Sequence, residues 1–330
     1  MPATGAAGRG APLVRGRAAA HREVLKRRKD TIVRRIIDPI RKLIPFILFS
    51  ALSAILMFKW PGFLFFAWIG ACVSIGIYAA DRYKGRAKQT GRRIAIILMA
   101  PVFLVFLGIM QRENLQLEET VFYLAYFITG GIFTRVLIHY AIAKVGGPLV
   151  FGRGFCGWAC WTAALLEWLP IRENKPIPEK YQYMRYPVLI ISLAVPFIMI
   201  QAGYDYISQH VYDTPGQVIS HHKYHQLLFF LVGNALYYAA ALPLAFIFRK
   251  KRAFCKIACP VSLVMKIPAR YSLIKKTPTG ERCTECGACN RNCPMDVDVM
   301  GYVRSGRRVE STECILCNAC VHVCPANALR

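Results

Sequence analysis

The sequence predicts a helical membrane protein that ends in a small, cysteine-rich domain. Two observations lead to this fold class. Hydrophobic residues make up 55% of the 330 residues, which is more apolar surface than a soluble domain of ordinary composition carries. The apolar stretches stop before residue 271, and eight of the 13 cysteines follow them. We therefore expect a basic tail (1–42), a transmembrane domain (43–270) and a C-terminal domain (271–330).

Six apolar stretches are predicted to be transmembrane helices, because each approaches the roughly 20 residues that a span requires. They cover residues 43–59, 62–80, 94–110, 120–143, 187–204 and 226–248. The first two are expected to form a hairpin, and a cleaved signal peptide is the alternative. Cys72, alone within the second stretch, is expected to be a packing residue.

Basic residues flank these stretches and predict their orientation. Residues 1–42 carry 12 Lys or Arg against three acidic residues, and the segments 81–93 and 249–256 are also strongly basic. The segments 111–119 and 203–225 are not strongly basic, so they are expected on the outer side of the membrane. By the positive-inside rule both termini are cytoplasmic, as expected for a multi-pass protein of a bacterial inner membrane. The tail, with an interfacial helix near residues 33–40, faces anionic lipid. A nucleic-acid-binding role is disfavoured, because the basic residues flank spans instead of forming one patch.

The C-terminal domain contains two copies of Cys-x2-Cys-x2-Cys-x3-Cys-Pro, at residues 283–294 and 314–325. This spacing is the bacterial ferredoxin pattern, in which three thiolates bind one cubane and the fourth binds the other. It predicts two [4Fe-4S] clusters in a small α+β ferredoxin-like domain. The predicted ligands are Cys283, Cys286, Cys289 and Cys324 for cluster 1, and Cys314, Cys317, Cys320 and Cys293 for cluster 2. Zinc and disulfides are the alternatives, and a reducing compartment disfavours the disulfides.

Four more cysteines form two matching pairs, in "RGFCGWAC" and "RAFCKIAC". The predicted topology places both pairs at cytoplasmic helix ends, where the four thiols can converge. Three interpretations remain: a further metal or iron–sulfur centre, a redox-active dithiol, or cysteines that pack between helices. Arg153 and Arg252 precede the pairs and favour thiolates if they point toward them. The four residues are Cys156, Cys160, Cys255 and Cys259.

Two adjacent clusters indicate electron transfer, and their attachment to a membrane domain makes a lipid-soluble quinone the natural redox partner. Arg135 and His139 lie one turn apart in the fourth stretch, near its cytoplasmic end, and form a candidate quinone site. The alternative is an arginine that reaches the interface. The outer loop carries four histidines that could bind metal or relay protons, although a polar loop with several histidines is more often simply solvated. These are His210, His221, His222 and His225.

Across residues 45–330, the order of the 12 cysteines in these four motifs resembles the NapH-type ferredoxin-like membrane proteins, which include the MauN type and the membrane half of NosR. Trp161 stands where that family usually has proline. The resemblance implies electron exchange with the quinone pool, in particular quinol oxidation, coupled to a partner redox protein. The alternative is an assembly factor that reduces a metal centre or a thiol of a partner oxidoreductase.

Overall fold

The computed structural model describes residues 38–58, 64–110, 115–130, 134–204, 206 and 223–330, and these residues are mostly helical. The basic tail up to residue 37, the turn between the first two stretches and most of the histidine-containing loop lie outside the described residues. The expected interfacial helix is therefore described only from Asp38 onward.

Four helices are long and apolar enough to cross a membrane: Asp38–Met57, Gly85–Met110, Glu179–Gln201 and Gln226–Ile247. They correspond to four of the six predicted stretches. Phe65–Ala80 and Val136–Phe151 are shorter apolar helices, so the count of six spans stays a prediction.

We number the helices in chain order. They are α1 (Asp38–Met57), α2 (Phe65–Ala80), α3 (Gly85–Met110, ending in a π-helical segment), α4 (Leu117–Gly130), α5 (Arg135–Tyr140, continuing through Ala141–Gly146 to Gly147–Phe151), α6 (Gly154–Trp158), α7 (Trp161–Trp168), α8 (Arg185–Gln201), α9 (Lys223–Ile247), α10 (Ala253–Ile257), α11 (Pro260–Ala269), α12 (Ala288–Arg291), α13 (Val299–Arg304) and α14 (Ala319–His322).

Helices α1 and α2 pack as the expected hairpin. The backbone N–H of Phe46 donates to Ser74 Oγ (3.3 Å), and Tyr78 donates to the carbonyl of Pro39 (3.3 Å). Cys72 is fully buried in the core that α2 forms with α3, and that core consists of hydrophobic side chains. Its environment agrees with a packing role.

The prediction of one continuous helix over 120–143 is wrong. Helix α4 ends at Gly130, and Thr134 has an extended backbone (φ −117°, ψ 149°) before α5 begins. The sequence places two glycines together at 130–131, and glycine is a poor helix former by about 1 kcal/mol per residue. A hydropathy average does not detect this break, because the flanking residues are apolar on both sides.

The segment before α4 also differs from the prediction. Glu118 and Glu119 were expected in an outer loop, yet Glu119 is fully buried and Glu118 contacts α8 and α9. Along α4, Glu118 contacts Tyr237 whereas Tyr123 contacts Gln226. Helix α4 therefore begins beside the middle of α9, in the interior of the helical domain, and runs toward the start of α9.

The expected α+β character of the C-terminal domain is not seen, because the described residues contain no strand. An antiparallel pairing of residues 277–279 with 328–330 closes the domain, with one isolated bridge between Pro278 and Leu329. The domain is attached to the helical domain by the backbone N–H groups of Leu273 and Ile274. They donate to the carbonyls of Leu149 (3.0 Å) and Val150 (2.9 Å).

Candidate metal centres

Each set of cysteines that the ferredoxin pattern groups together surrounds one cavity. The first cavity is lined by Cys283, Cys286, Cys289 and Cys324, and the second by Cys293, Cys314, Cys317 and Cys320. Each cavity thus receives its fourth thiol from the other motif, which is the arrangement that two interlocked cubanes need. The assignment of these thiols as ligands stays a prediction, and the cavities support it.

The two motifs have the same backbone geometry. Gly287 (φ 67°) and Asn318 (φ 62°) are left-handed residues that start α12 and α14, the helices that carry the third cysteine of each motif. Glycine and asparagine are the residues that adopt this conformation most readily. The turn lets the backbone wrap around each cavity.

Burial favours the protonated form of two thiols in the second cavity. It raises the pKa of Cys293 to about 12, with a further contribution from Cys317, and also raises the pKa of Cys320. Iron–sulfur ligation requires the thiolate, so binding of a cluster releases protons from this cavity. The donor set of four thiols fits a [4Fe-4S] cluster.

The two additional cysteine pairs also have matching geometry. Cys156 lies in α6 and Cys255 in α10, whereas Cys160 (φ −69°, ψ 118°) and Cys259 (φ −70°, ψ 111°) precede α7 and α11. Trp161 occupies the first helical position that Pro260 occupies in the second pair. The departure from proline therefore leaves the backbone at the preceding cysteine unchanged.

These four cysteines lie in one region of the structure, although in the described part of the chain no three His, Cys, Asp or Glu side chains are grouped closely enough to hold a single metal ion. Cys255 and Cys259 are each close enough to Cys156 and Cys160 for their charges to interact. Cys255 is 8% exposed, and the sulfur of Cys156 lies 3.5 Å from that of Met265. We call this group the four-cysteine site.

Basic side chains lie near the four-cysteine site, but the two arginines already form ion pairs with carboxylates. Burial raises the pKa of Cys255 to about 11 although Arg252 acts in the opposite direction. Both arginines favour the thiolate of Cys255, in the direction that the sequence predicts, but burial has the larger effect on its pKa. The ammonium of Lys144 lies 3.4 Å from the Phe155 ring centroid and is also buried. A buried cation beside the site suits a bound group that carries negative charge.

Both arginines form ion pairs with carboxylates, and the pair made by Arg153 joins the helical domain to the C-terminal domain. Arg153 pairs with Glu313 (2.5 Å), the residue before the first cysteine of the second ferredoxin motif. Arg252 pairs with Glu167 (2.7 Å) and donates to the carbonyl of Cys156 (2.8 Å), which links the two pairs directly. Both guanidinium groups are fully buried. Sequence analysis missed both carboxylates, because their partners lie about 85 to 160 residues away in the chain.

The second ferredoxin motif packs on the four-cysteine site. Trp158 Nε1 donates to the carbonyl of Leu316 (3.0 Å), and a Cβ on Gly157 would lie 2.0 Å from the carbonyl oxygen of Ile315. Cys156 and Cys255 belong to the same hydrophobic cluster as Cys293, Cys317 and Cys320. The cluster 2 cavity, rather than the cluster 1 cavity, therefore faces the helical domain.

Several hydrogen-bonded polar side chains of the helical domain lie near the four-cysteine site. Ser192 (2.7 Å) and Tyr237 (3.3 Å) donate to Glu118 Oε1. The Tyr237 ring lies 5.5 Å from that of Phe254, and both pack in a cluster that includes Cys259. Glu118 is thus connected through Tyr237 to the vicinity of the site. Sequence analysis placed this carboxylate outside the membrane.

Both candidate quinone residues lie in α5. His139 is buried against the rings of Phe65 (5.0 Å) and Phe66 (6.3 Å), and α5 continues to Phe151. Helix α5 begins at Arg135, so His139 lies in its first half, and the quinone site stays a prediction. Arg135 begins α5, and its side chain lies outside the described residues. Of the four histidines, only the helical backbone of His225 is described.

Comparison with known families agrees with these sites. Residues 282–329 match a 4Fe-4S dicluster domain, and residues 138–176 and 233–278 match a 4Fe-4S binding domain that contains both cysteine pairs. The chain is thus a helical protein that transfers electrons through 4Fe-4S clusters.

Two proteins of one archaeal species have similar sequences. The chain is 30% identical over 216 residues to the uncharacterized protein MJ0749 of Methanocaldococcus jannaschii, covering 62% of this chain and 73% of that protein. It belongs to the same family. It is also 25% identical over 198 residues to MJ0750 of that organism, covering 55% of this chain and 72% of that protein.

A more distant relative is the Escherichia coli K12 protein named "Putative electron transport protein YccM". It is 24% identical over 195 residues, which cover 56% of this chain and 52% of that protein. No solved structure is significantly similar to this chain.

Proposed function

We propose that this chain is a membrane-bound subunit of NapH type that oxidises quinol and passes the electrons to a partner redox protein. The observation that carries the proposal is the direct packing of the four-cysteine site on the cluster 2 cavity. A bound [4Fe-4S] cluster takes up and releases one electron at a time. The two sites that could hold such groups are adjacent, without a solvated gap between Gly157 and Ile315.

Cys156, Cys160, Cys255 and Cys259 would hold an additional iron–sulfur centre. The match of the 4Fe-4S binding domain to both segments supports this. Lys144 is buried beside the site, and Arg252 donates to the carbonyl of Cys156 within it. Positive charge stabilises the net negative charge that four thiolates bring.

The helical domain offers a proton acceptor for quinol. Oxidation of a quinol to a quinone releases two electrons and two protons, so a base must lie near the quinol. Glu118, which Ser192 and Tyr237 orient, would accept the two protons one after the other and release each to solvent. Ionisable side chains at such depth are functional candidates by default. We propose Glu118 and Tyr237 for this role in preference to Arg135 and His139.

The geometry argues against the assembly-factor alternative. A thiol that reduces another protein must be accessible and must favour the thiolate. Cys255 is buried, burial raises its pKa to about 11, and the C-terminal domain covers the pair that contains Cys156.

The experiment follows the reduction of the clusters by a quinol analogue. The purified chain in lipid nanodiscs is mixed with excess quinol, the loss of cluster absorbance is recorded, and dithionite then completes the reduction. We expect wild type to be reduced by quinol. Cys156→Ser should lose this reaction while its C-terminal clusters still respond to dithionite. Cys72→Ser is the matched control, because Cys72 is a buried cysteine outside every motif.

Two results would contradict the proposal. One is reduction of the wild type by dithionite alone. The other is quinol reduction of Cys156→Ser at the wild-type rate, which would place electron entry elsewhere. The assembly factor would be favoured by a third result. In that case Cys156→Ser keeps its iron and reacts normally with quinol, but a metal centre in a partner protein is no longer reduced.

A further inference from the structure

A large basic cavity lies where the helical domain meets the C-terminal domain. Its volume is about 640 Å³, within the range of small-molecule sites. Its wall is formed by the start of α3, the segment after α7, the turn before α10 and the loop around Cys293. Six basic side chains line it against two carboxylates: Arg86, Arg92, Arg93, Arg172, Lys251 and Arg252 against Glu167 and Glu173.

The two carboxylates are already engaged. Glu167 accepts ion pairs from Arg92 (2.9 Å) and Arg252 (2.7 Å), and it is buried. Glu173 pairs with Arg249 (3.0 Å) and Lys175 (3.3 Å). Neither is available to neutralise the four basic residues that remain.

Of the four remaining cations, only Arg93 forms an ion pair among the described residues, and it shares Glu167 with Arg92 and Arg252. Among the described residues, Arg86 and Arg172 form no ion pair. The closest carboxylate oxygen to Arg93 Nε belongs to the already engaged Glu167, at 3.6 Å. Lys251 donates to the backbone carbonyl of Glu167 (2.8 Å). Burial lowers the pKa of Lys251 below its ordinary value, and the nearby Arg93 lowers it further.

We propose that this cavity binds the phosphate group of an anionic ligand, held by Arg86, Arg93, Arg172 and Lys251. Arginine's planar donors match phosphate oxygens in pairs. The phosphate could belong to a lipid headgroup, since α3 is long and apolar enough to cross a membrane, or to a soluble phosphate compound.

The cavity adjoins the cluster 2 site. Asn292 and Pro294, which flank Cys293, line it together with Ala319 of α14. Gln89, also in the wall, donates to the carbonyl of Cys317 (2.8 Å). A bound dianion would place negative charge beside that site and favour the oxidised state of a cluster there. This inference does not depend on quinol as the electron donor.

Binding of pyrophosphate and retention of lipid test the proposal separately. The purified chain, in nanodiscs of phosphatidylcholine, is titrated with pyrophosphate by calorimetry. In parallel, protein purified from native membranes is analysed for retained anionic phospholipid by mass spectrometry. The variant Arg86→Gln/Arg172→Gln removes two exposed cations that make no ion pair among the described residues. Arg282→Gln, an exposed arginine outside the wall, is the matched control.

Saturable pyrophosphate binding that weakens at least tenfold in the double variant, but not in Arg282→Gln, supports a soluble phosphate ligand. Retention of anionic lipid by wild type and the control, with loss from the double variant, supports a headgroup. The proposal is overturned if wild type shows neither, or if the control weakens binding as much as the double variant. Thermal unfolding of each variant verifies that the fold is intact.

Discussion

Replacement of Gly157 by alanine tests the contact between the four-cysteine site and the C-terminal domain. The added Cβ would lie 2.0 Å from the carbonyl oxygen of Ile315, although real Cβ contacts essentially never fall below 3.0 Å. The obstacle is backbone, which cannot rotate away like a flexible side chain. The two domains must therefore separate locally by about 1 Å or more.

The expected cost follows from the contacts that this separation breaks. Overpacking of a tight contact costs about 1–3 kcal/mol. The hydrogen bond from Trp158 to Leu316, at 3.0 Å, would stretch beyond its useful range and contribute about 1 kcal/mol more. The sum, about 2–4 kcal/mol, raises the population of the undocked C-terminal domain by roughly 30- to 1,000-fold.

Hydrogen exchange measures this opening. The amides of Leu273 and Ile274 hold the C-terminal domain to α5 and should exchange faster in Gly157→Ala by the same factor. Gly146→Ala is the control, because its Cβ would meet only the Ala141 carbonyl at an ordinary 3.6 Å. Equal exchange in both variants would refute the reasoning, and so would unchanged quinol-driven reduction of the clusters in Gly157→Ala.

Three further variants test the charges and the ligands. Glu167→Gln leaves Arg92 and Arg252 buried without their carboxylate, so we expect a loss of about 3–5 kcal/mol in unfolding free energy, measured by denaturant titration. Glu313→Gln should weaken docking at neutral pH. Burial alone raises the pKa of Glu313, but Arg153 and the other nearby cations hold this pKa well below 4.5. The stabilisation of docking by the Glu313 carboxylate is therefore present above about pH 4.5 and is lost as the pH falls. The variant and wild type should dock equally well in acid, and a difference that does not change with pH would contradict this. Cys324→Ser should disturb the electron paramagnetic resonance signal of cluster 1 and spare that of cluster 2, and the reverse pattern would refute the crossing.

Local patterns were predictable from the sequence. The ferredoxin spacing predicted which four thiols surround each cavity, because the ligands are close in the chain except for the one that crosses. Hydropathy predicted stretches that correspond to four long apolar helices. It did not predict the break between α4 and α5, since a window average gives no weight to two glycines at one point.

Long-range pairings were not predictable. Arg153 and Arg252 stand at equivalent positions of the two cysteine pairs, and nothing near them in the sequence indicates a carboxylate partner. The partners come from the C-terminal domain for Arg153 and from α7 for Arg252. Which carboxylate each arginine contacts depends on how α6 and α10 pack against distant parts of the chain, and this packing is a property of the whole fold.

This difference between the two arginines has a functional consequence. Arg252, with Glu167, stabilises the four-cysteine site within the helical domain, and its bond to the Cys156 carbonyl holds the two pairs together. Arg153, with Glu313, instead holds the second ferredoxin motif against that site. Loss of the first pair should therefore damage the site itself, whereas loss of the second should leave it intact but separated from cluster 2. Glu167 and Glu313 thus stabilise different contacts, the first within the helical domain and the second between that domain and the C-terminal domain.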